Sequence, residues 1–229
     1  MARTPALEAL APDVWRIELA PGARLNAYLL GDVLVDAGMP SSAEPLLRAI
    51  AGHPLARHVL THVHVDHAGG SRVVADARHV PVACGAGDLD DLRAGRSPDI
   101  VLPAPVQPLA RRIARYRALP QATALAEDEP VGPGFRVVPT PGHTAGHLSL
   151  WRESDRLLIA GDALFGQNVV TGRGGLQAPP RIDQPDPPAV RAAIRRLAAL
   201  EPEIVAFGHG HAVRGAAGPL QALADGLPA

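Results

Sequence analysis

The chain has 229 residues, nearly half of them apolar, so there is material for one buried core of ordinary size. Its formal charge of −1, with no long basic run, excludes a strong nucleic-acid footprint. Aromatic residues make up only 3%, so the core must be built from Val, Leu, Ile and Ala.

In chain order, the first strand-like run of interest is Val33-Leu34-Val35, which leads into Asp36-Ala37-Gly38. Ser41-Ser42 then caps a predicted helix over about 43–51, with Glu44 in its first turn. His58-Val59-Leu60 leads into Thr61-His62, and a single cysteine, Cys84, closes a later apolar run as a buried small hydrophobe. The stretch 88–133 is rich in proline and charge and reads as a helical insertion, with helices over 87–94 and 107–118. In the second of these, Leu109, Ile113 and Tyr116 share one face while Arg111 and Arg115 share another. That pattern fits a solvated basic face, or a lid whose apolar side covers a site.

Further on, Phe135-Arg136-Val137-Val138 passes through Pro139-Thr140-Pro141-Gly142 to His143. Leu157-Leu158-Ile159-Ala160 ends at Gly161-Asp162, and Ile204-Val205-Ala206-Phe207 ends at Gly208-His209. Between the last two, Asp186-Pro187 opens a helix over 189–200, and another follows over 216–226. Five predicted strands thus deliver a His or Asp just past their C-terminal ends, the edge where α/β proteins hold ligands. Strands interleaved with helices make this an α/β protein, expected as a single domain over 1–229.

The strongest local signal is Thr61-His62-Val63-His64-Val65-Asp66-His67-Ala68-Gly69-Gly70, with four metal-ligand side chains in six residues. After a strand, an irregular turn can aim His62 and His64 at one metal, and Asp66 and His67 at a second. Imidazole and carboxylate without thiolate suit Zn²⁺, Mn²⁺ or Fe²⁺. A histidine-rich surface loop is the bland alternative, and it loses ground once His143, Asp162 and His209 recur at later strand ends.

On these residues the chain resembles the metallo-β-lactamase superfamily, with its HxHxDH signature and four-layer αββα sandwich (α+β by some schemes). The resemblance runs from Asp36 to about His209. It implies His62, His64 and His143 as ligands of a first divalent ion, and Asp66, His67 and His209 as ligands of a second. Asp162 is implied as the carboxylate bridging both, and Asp36 as a support from behind. Two cations, zinc first and Mn²⁺ or Fe²⁺ as alternatives, would generate a bridging hydroxide that attacks an activated carbonyl. Asp66 would combine ligation with orienting and shuttling a proton. His147 matches a position kept as histidine in thioesterase-like members, near the site or packed beneath it. His211, two residues after His209, would face the site on an extended segment. His53, His58 and His79 carry no partner pattern and are read as surface or packing residues.

Departures from the family sort its branches. A bridging Asp162 and an N-terminus without a signal-peptide pattern argue against a true β-lactamase. His64 argues against a flavodiiron protein, where glutamate stands. Phe165 lacks the hydroxyl of the tyrosine that acyl-homoserine lactonases usually place shortly after the bridging aspartate. Only 20 residues follow His209, so the helical substrate domain of a full glyoxalase II is not expected. The expected activity is hydrolysis of a thioester or ester, with a lactone second, on a small-molecule substrate. A single-iron persulfide dioxygenase is the alternative enzyme, and a non-catalytic binding protein on the same fold the alternative from another class. The 88–133 insertion is expected to wall the pocket, opposite Phe165, Asn168 and the turn Thr171–Gly175. With no signal peptide and no apolar run near ~20 residues, a cytoplasmic protein without a membrane partner is expected, and a homodimer is allowed.

Overall fold

The computed structural model describes residues 4–168 and 171–228. A first sheet of seven strands runs in sequence order: β1 (Leu7–Ala11), β2 (Val14–Ala20), β3 (Leu25–Leu30), β4 (Val33–Val35), β5 (Arg57–Val59), β6 (Val82–Gly85) and β7 (Thr123–Leu125). Strands β1 to β4 pair antiparallel through tight connections, and β4 to β7 pair parallel through helical crossovers. Those crossovers carry α1 (Ala43–Ala49), α2 (Val65–Ala68), α3 (Ser71–Arg78), α4 (Leu89–Ala94) and α5 (Gln107–Ile113).

The second sheet has six strands: β8 (Pro130–Val131), β9 (Phe135–Pro139), β10 (Leu148–Arg152), β11 (Leu157–Ile159), β14 (Ile204–Ala206) and β15 (Val213–Arg214), in the spatial order β15-β14-β11-β10-β9-β8. A small hairpin, β12 (Phe165–Gln167) with β13 (Gly174–Gln177), and a helix, α6 (Pro187–Ala198), separate β11 from its parallel neighbour β14. A last helix, α7 (Ala217–Asp225), follows β15.

Strand side chains alternate between faces, and both faces are covered, so the strands read as unbroken apolar runs. Tyr28, Leu30, Val33, Val35 and Val59 meet Phe135, Val137, Leu150, Leu157, Ile159 and Ala206 between the sheets. On the outer face of the first sheet, Leu29 and Leu34 pack with Leu46, Ile50 and Val74. On the outer face of the second, Trp151, Leu158, Val205 and Phe207 pack under Val190, Ile194, Leu197 and Leu220 of α6 and α7. Helix, sheet, sheet and helix therefore stack as the expected αββα sandwich.

Several local expectations change. The Ser42 side chain makes no cap hydrogen bond, because a 3₁₀ turn at Pro40–Ser42 leads straight into α1. Asp186 does cap α6, accepting from the Ala189 amide at 3.0 Å, with Pro187 as the first helical residue. The 88–133 stretch is not only helical, since it also supplies β7 and β8, edge strands of the two sheets. Its second helix stops at Ile113 rather than 118. There Ser97 donates its amide to Ala114, Tyr116 donates its amide to Gly95, and the Tyr116 hydroxyl reaches the carbonyls of Val63 and Arg96. This pairing draws 114–116 out of the helix.

Candidate metal centre

Every candidate ligand sits where a strand ends. β5 runs out through Leu60 and Thr61 to His62. His64 is extended (φ −61°, ψ 152°), and the single turn of α2 that follows turns Asp66 and His67 back toward it. β9 leads to His143 through Gly142 (φ +130°), where an added Cβ would stand 2.4 Å from the Val190 amide nitrogen. β11 leads to Asp162 through Gly161, and β14 to His209 through Gly208. A Cβ on Gly208 would lie 2.0 Å from Asp162 Oδ1 and 2.6 Å from His67 Cε1, so only glycine allows the ligands to close up here.

The tautomers follow from the outward contacts. Thr61 gives its hydroxyl proton to Asp36 Oδ2 at 2.9 Å, so at 3.1 Å it accepts from His62 Nδ1. His67 Nδ1 donates to Asp36 Oδ2 at 2.9 Å, His143 Nδ1 to the Asp183 carbonyl at 2.8 Å, and His209 Nδ1 to the Arg24 carbonyl. Four Nε2 atoms thus turn inward. His62 and His143 bring theirs to 3.2 Å, and His64 Nδ1 lies 2.9 Å from His143 Nε2. His67 and His209 bring theirs to 3.4 Å, with Asp162 Oδ2 3.1 Å and Asp66 Oδ2 3.4 Å from His209 Nε2. The four bonds of a tetrahedral zinc, ~2.0–2.1 Å long, place ligand atoms roughly 3.3 Å apart, and these separations fall around that value. Two imidazole lone pairs 3.2 Å apart, with both Nδ1 protons committed elsewhere, are repulsive unless an electrophile lies between them. The donor set therefore fits divalent cations.

Three overlapping groups converge: His62, His64 and His143; Asp66, His67 and His209; and His62, His67 and Asp162. Asp162 lies between the first two, its Oδ1 3.6 Å from His67 Nε2 and its Oδ2 3.7 Å from His143 Nε2. Buried Asp162 Oδ1 has no hydrogen-bond partner among the described residues, as suits an oxygen left for a cation.

Electrostatics divide the cluster. Burial, reinforced by the neighbouring histidines, lowers His64 to about 4 and His143 to about 3, and His62 lies well below its usual value. Burial works the same way on His209, but Asp162 and Asp66 outweigh it and raise it to about 10. His67 is likewise raised against its burial by Asp162, Asp66 and Asp36. Burial would raise Asp66 and Asp162, yet the adjoining His67 and His209 hold both carboxylates well below the ordinary range. Without a metal, protons supply the positive charge these carboxylates demand.

Asp36 takes the place expected for it behind the site. It adopts a left-handed backbone (φ +59°) and accepts from the Thr61 amide, the Thr61 hydroxyl and His67. His147 is buried beneath the centre: its Nε2 accepts from the Asp162 amide at 2.9 Å, so Nδ1 donates to Thr140 at 2.8 Å. It orients the Asp162 backbone and offers no free nitrogen to a cation. Phe165 stacks on His209, centroids 5.1 Å apart at 16°, behind the ligand rather than on the cavity wall. His211 is a correction. It is exposed and makes no contact with a ligand, because Gly210 (φ +107°) breaks the strand alternation that would have aimed it inward.

A cavity of about 350 Å³ opens over the cluster. Asp66, Asp162, His64, His143 and His209 form its floor; Met39, Asp183 and Ile100 stand beside them, with Gln107, Ala110, Arg111 and Ala114 on the far wall. The 88–133 stretch thus does wall the pocket, though with the small and polar side of α5. Leu109 and Ile113 point away, 61% and 74% exposed, and Tyr116 is engaged elsewhere, so no apolar lid face covers the site. Thr171–Gly175 and Asn168 do not line the cavity; Asn168 instead accepts from the Thr171 amide to shape its own turn.

Two residues escaped the sequence reading. Asp183 anchors His143 through its carbonyl, and its carboxyl, pushed up to about 6 by burial and by Asp162 and Asp66, faces the cavity. Buried Asp88 accepts from the Thr144 hydroxyl and the Gly146 amide, both at 2.6 Å, and so fastens the loop that carries His143. Neither has a local motif, since each acts across a long stretch of chain.

A family model described as the metallo-beta-lactamase superfamily matches residues 23–209, and the chain belongs to that superfamily. It is 32% identical over 203 residues to a probable metallo-hydrolase, YflN, of Bacillus subtilis (strain 168), covering 78% of this chain and 75% of that protein. It is 34% identical over 178 residues to a hydroxyacylglutathione hydrolase of Alkalilimnicola ehrlichii, covering 78% of this chain but only 55% of that protein. Among solved structures, TTHA1623 in a di-iron-bound form superposes with a TM-score of 0.65 at 26% identity, over 89% of this chain and 96% of that one. A beta-lactamase domain protein from Burkholderia ambifaria gives 0.70 at 23% identity, over 95% of this chain and 74% of that one, a likeness of fold. These relatives support an enzyme of the metallo-hydrolase kind that binds divalent metal.

Proposed function

We propose that this protein is a dinuclear metal-dependent hydrolase that cleaves an activated carbonyl, a thioester or ester first and a lactone second. The observation that carries the reading is the pair of ligand triads on either side of Asp162, beneath one open cavity. His62, His64 and His143 would hold one cation, Asp66, His67 and His209 the other, with Asp162 between. Two cations held there would lower the pKa of water toward neutral pH and polarise the carbonyl.

The chain's own groups do the positioning. Asp36 and Thr61 fix the rings of His67 and His62, and His147 fixes the turn that presents Asp162. Asp66 is the floor carboxylate most open to the cavity, its side chain 35% exposed against 4% for Asp162. It can accept a hydrogen bond from an entering nucleophile and pass its proton outward. Ser97 lines the cavity, but its hydroxyl accepts from the Val65 amide and points to the Pro98 carbonyl rather than to a base, in keeping with attack by water.

The test is metal content per chain by elemental analysis, run beside hydrolysis assays on simple thioesters and esters. About two zinc or manganese ions with carbonyl hydrolysis are expected. About one iron, with oxygen uptake on a persulfide and no hydrolysis, would overturn the reading in favour of the dioxygenase. Metal-loaded protein inert in both assays would leave the non-catalytic scaffold.

A further inference from the structure

Among the described residues, six large apolar side chains are exposed: Met39, Val101, Val106, Leu109, Ile113 and Ile182. They belong to segments that also supply residues of the cavity wall. Met39 lines the cavity; Val106, Leu109 and Ile113 belong to α5 and the residue before it; Val101 donates its amide to the Ile182 carbonyl at 2.8 Å, beside cavity-lining Asp183. Because α5 turns Gln107, Ala110, Arg111 and Ala114 to the cavity, its apolar residues leave on the opposite side, into solvent. This helix is inverted relative to an ordinary surface helix, which buries its apolar stripe.

The same segment is strongly basic. Residues 96–117 hold five arginines against one aspartate, a net charge of +4 on a chain whose total is −1. All five arginines are exposed. Arg96, Arg111 and Arg117 have nearby aspartates, whereas Arg112 and Arg115 have no carboxylate partner among the described residues. A two-fold dimer would set this patch against its own copy, bringing like charges together. Nucleic acid would leave the Leu, Ile and Val side chains without a role, there being no aromatic residue among them to stack a base.

We propose that the outer, apolar face of α5 docks the protein peripherally on an anionic lipid surface. Val106, Leu109 and Ile113 enter the boundary between headgroups and acyl chains, and Arg112 and Arg115 meet the anionic headgroups. No helix among the described residues is long and apolar enough to cross a membrane, and docking of this kind needs none. The inference goes beyond the hydrolytic reading and does not depend on which bond the centre cleaves.

The experiment is co-sedimentation of the full, metal-loaded chain with phosphatidylcholine vesicles and with phosphatidylcholine–phosphatidylglycerol vesicles. Binding is expected on the anionic vesicles and should weaken as salt is raised. The pair Arg112→Gln and Arg115→Gln should lose about fivefold in partitioning per arginine, and the pair Leu109→Ser and Ile113→Ser about tenfold or more. Both double variants should keep the parent's circular dichroism, Tm and hydrolysis of a small soluble ester. Absence of binding to either vesicle, or binding that both variants retain, would overturn the proposal. A dimer by light scattering that Leu109→Ser and Ile113→Ser dissociates, without vesicle binding, would give this face to a second copy instead.

Discussion

The two triads lie side by side with Asp162 between them, yet their electrostatics are opposite. Asp162 acts on all three of His62, His64 and His143 and Asp66 on His64 as well, but burial prevails and keeps them unprotonated. His67 and His209 stand among Asp36, Asp66 and Asp162, which hold protons on them until something more positive arrives. The first pocket is emptied of protons by desolvation, while the second is filled with them by its carboxylates. A cation entering the second pocket must displace protons, and one entering the first need not.

The harshest way to break this contrast is to remove the carboxylate between the triads. Asp162→Ala should lower bound metal below two per chain and reduce hydrolysis by about 10³-fold, the scale of losing a main electrostatic stabiliser. Elemental analysis that still finds two ions would sink the bridging role. The contrast itself is sharpened by pH. His209 keeps a proton up to about 10 in the metal-free protein, so second-site affinity should fall as pH drops below that, about tenfold per displaced proton per pH unit. First-site affinity should stay nearly flat until about pH 4, where His64 takes its proton. Calorimetric titration with Zn²⁺ between pH 8 and pH 6 should resolve two classes of site, only one of which weakens; two that weaken together would refute the division.

Smaller effects separate the supports of each triad. Asp36→Asn removes the charge behind His67 and should cost the second site about 10–100-fold in affinity, with a smaller loss at the first site, which Asp36 reaches only through Thr61 and His62. Equal losses at both sites would show that the direct bond to His67 is not what sets the contribution of Asp36. Phe165→Leu keeps the core filled but removes the ring stacked on His209, so a loss of about threefold to tenfold confined to the second site is expected.

Much of this architecture is legible before any coordinates. Each ligand-bearing strand is an apolar run closed by Gly or a polar residue, since burial on both sheet faces removes the alternation and leaves only the end marked. The ligand positions follow because an HxHxDH turn is dense in chemistry and local in sequence. The outer reach of the site is not local. Asp183 contributes through a backbone carbonyl, for which its side-chain identity is no guide, and Asp88 clasps a loop 56 and 58 residues away. The end of α5 was hidden for a related reason. Helical spacing continues past Ile113, but the Tyr116 hydroxyl finds the Val63 carbonyl 53 residues earlier, and that contact prevails over local propensity. His211 was misplaced because alternation was extended through a glycine turn that ends it.

Each triad draws on both sheets. His62 and His64 come from the first and His143 from the second, while Asp66 and His67 come from the first and His209 from the second. A cation bound in either place would therefore tie together residues 81 or 142 positions apart. It would act as a removable cross-link between the two halves of the sandwich, closing a loop that in the chain-entropy account is worth on the order of 4–5 kcal/mol. A chelator would do to this protein what a reducing agent does to one stapled by disulfides, loosening the whole frame while it empties the site.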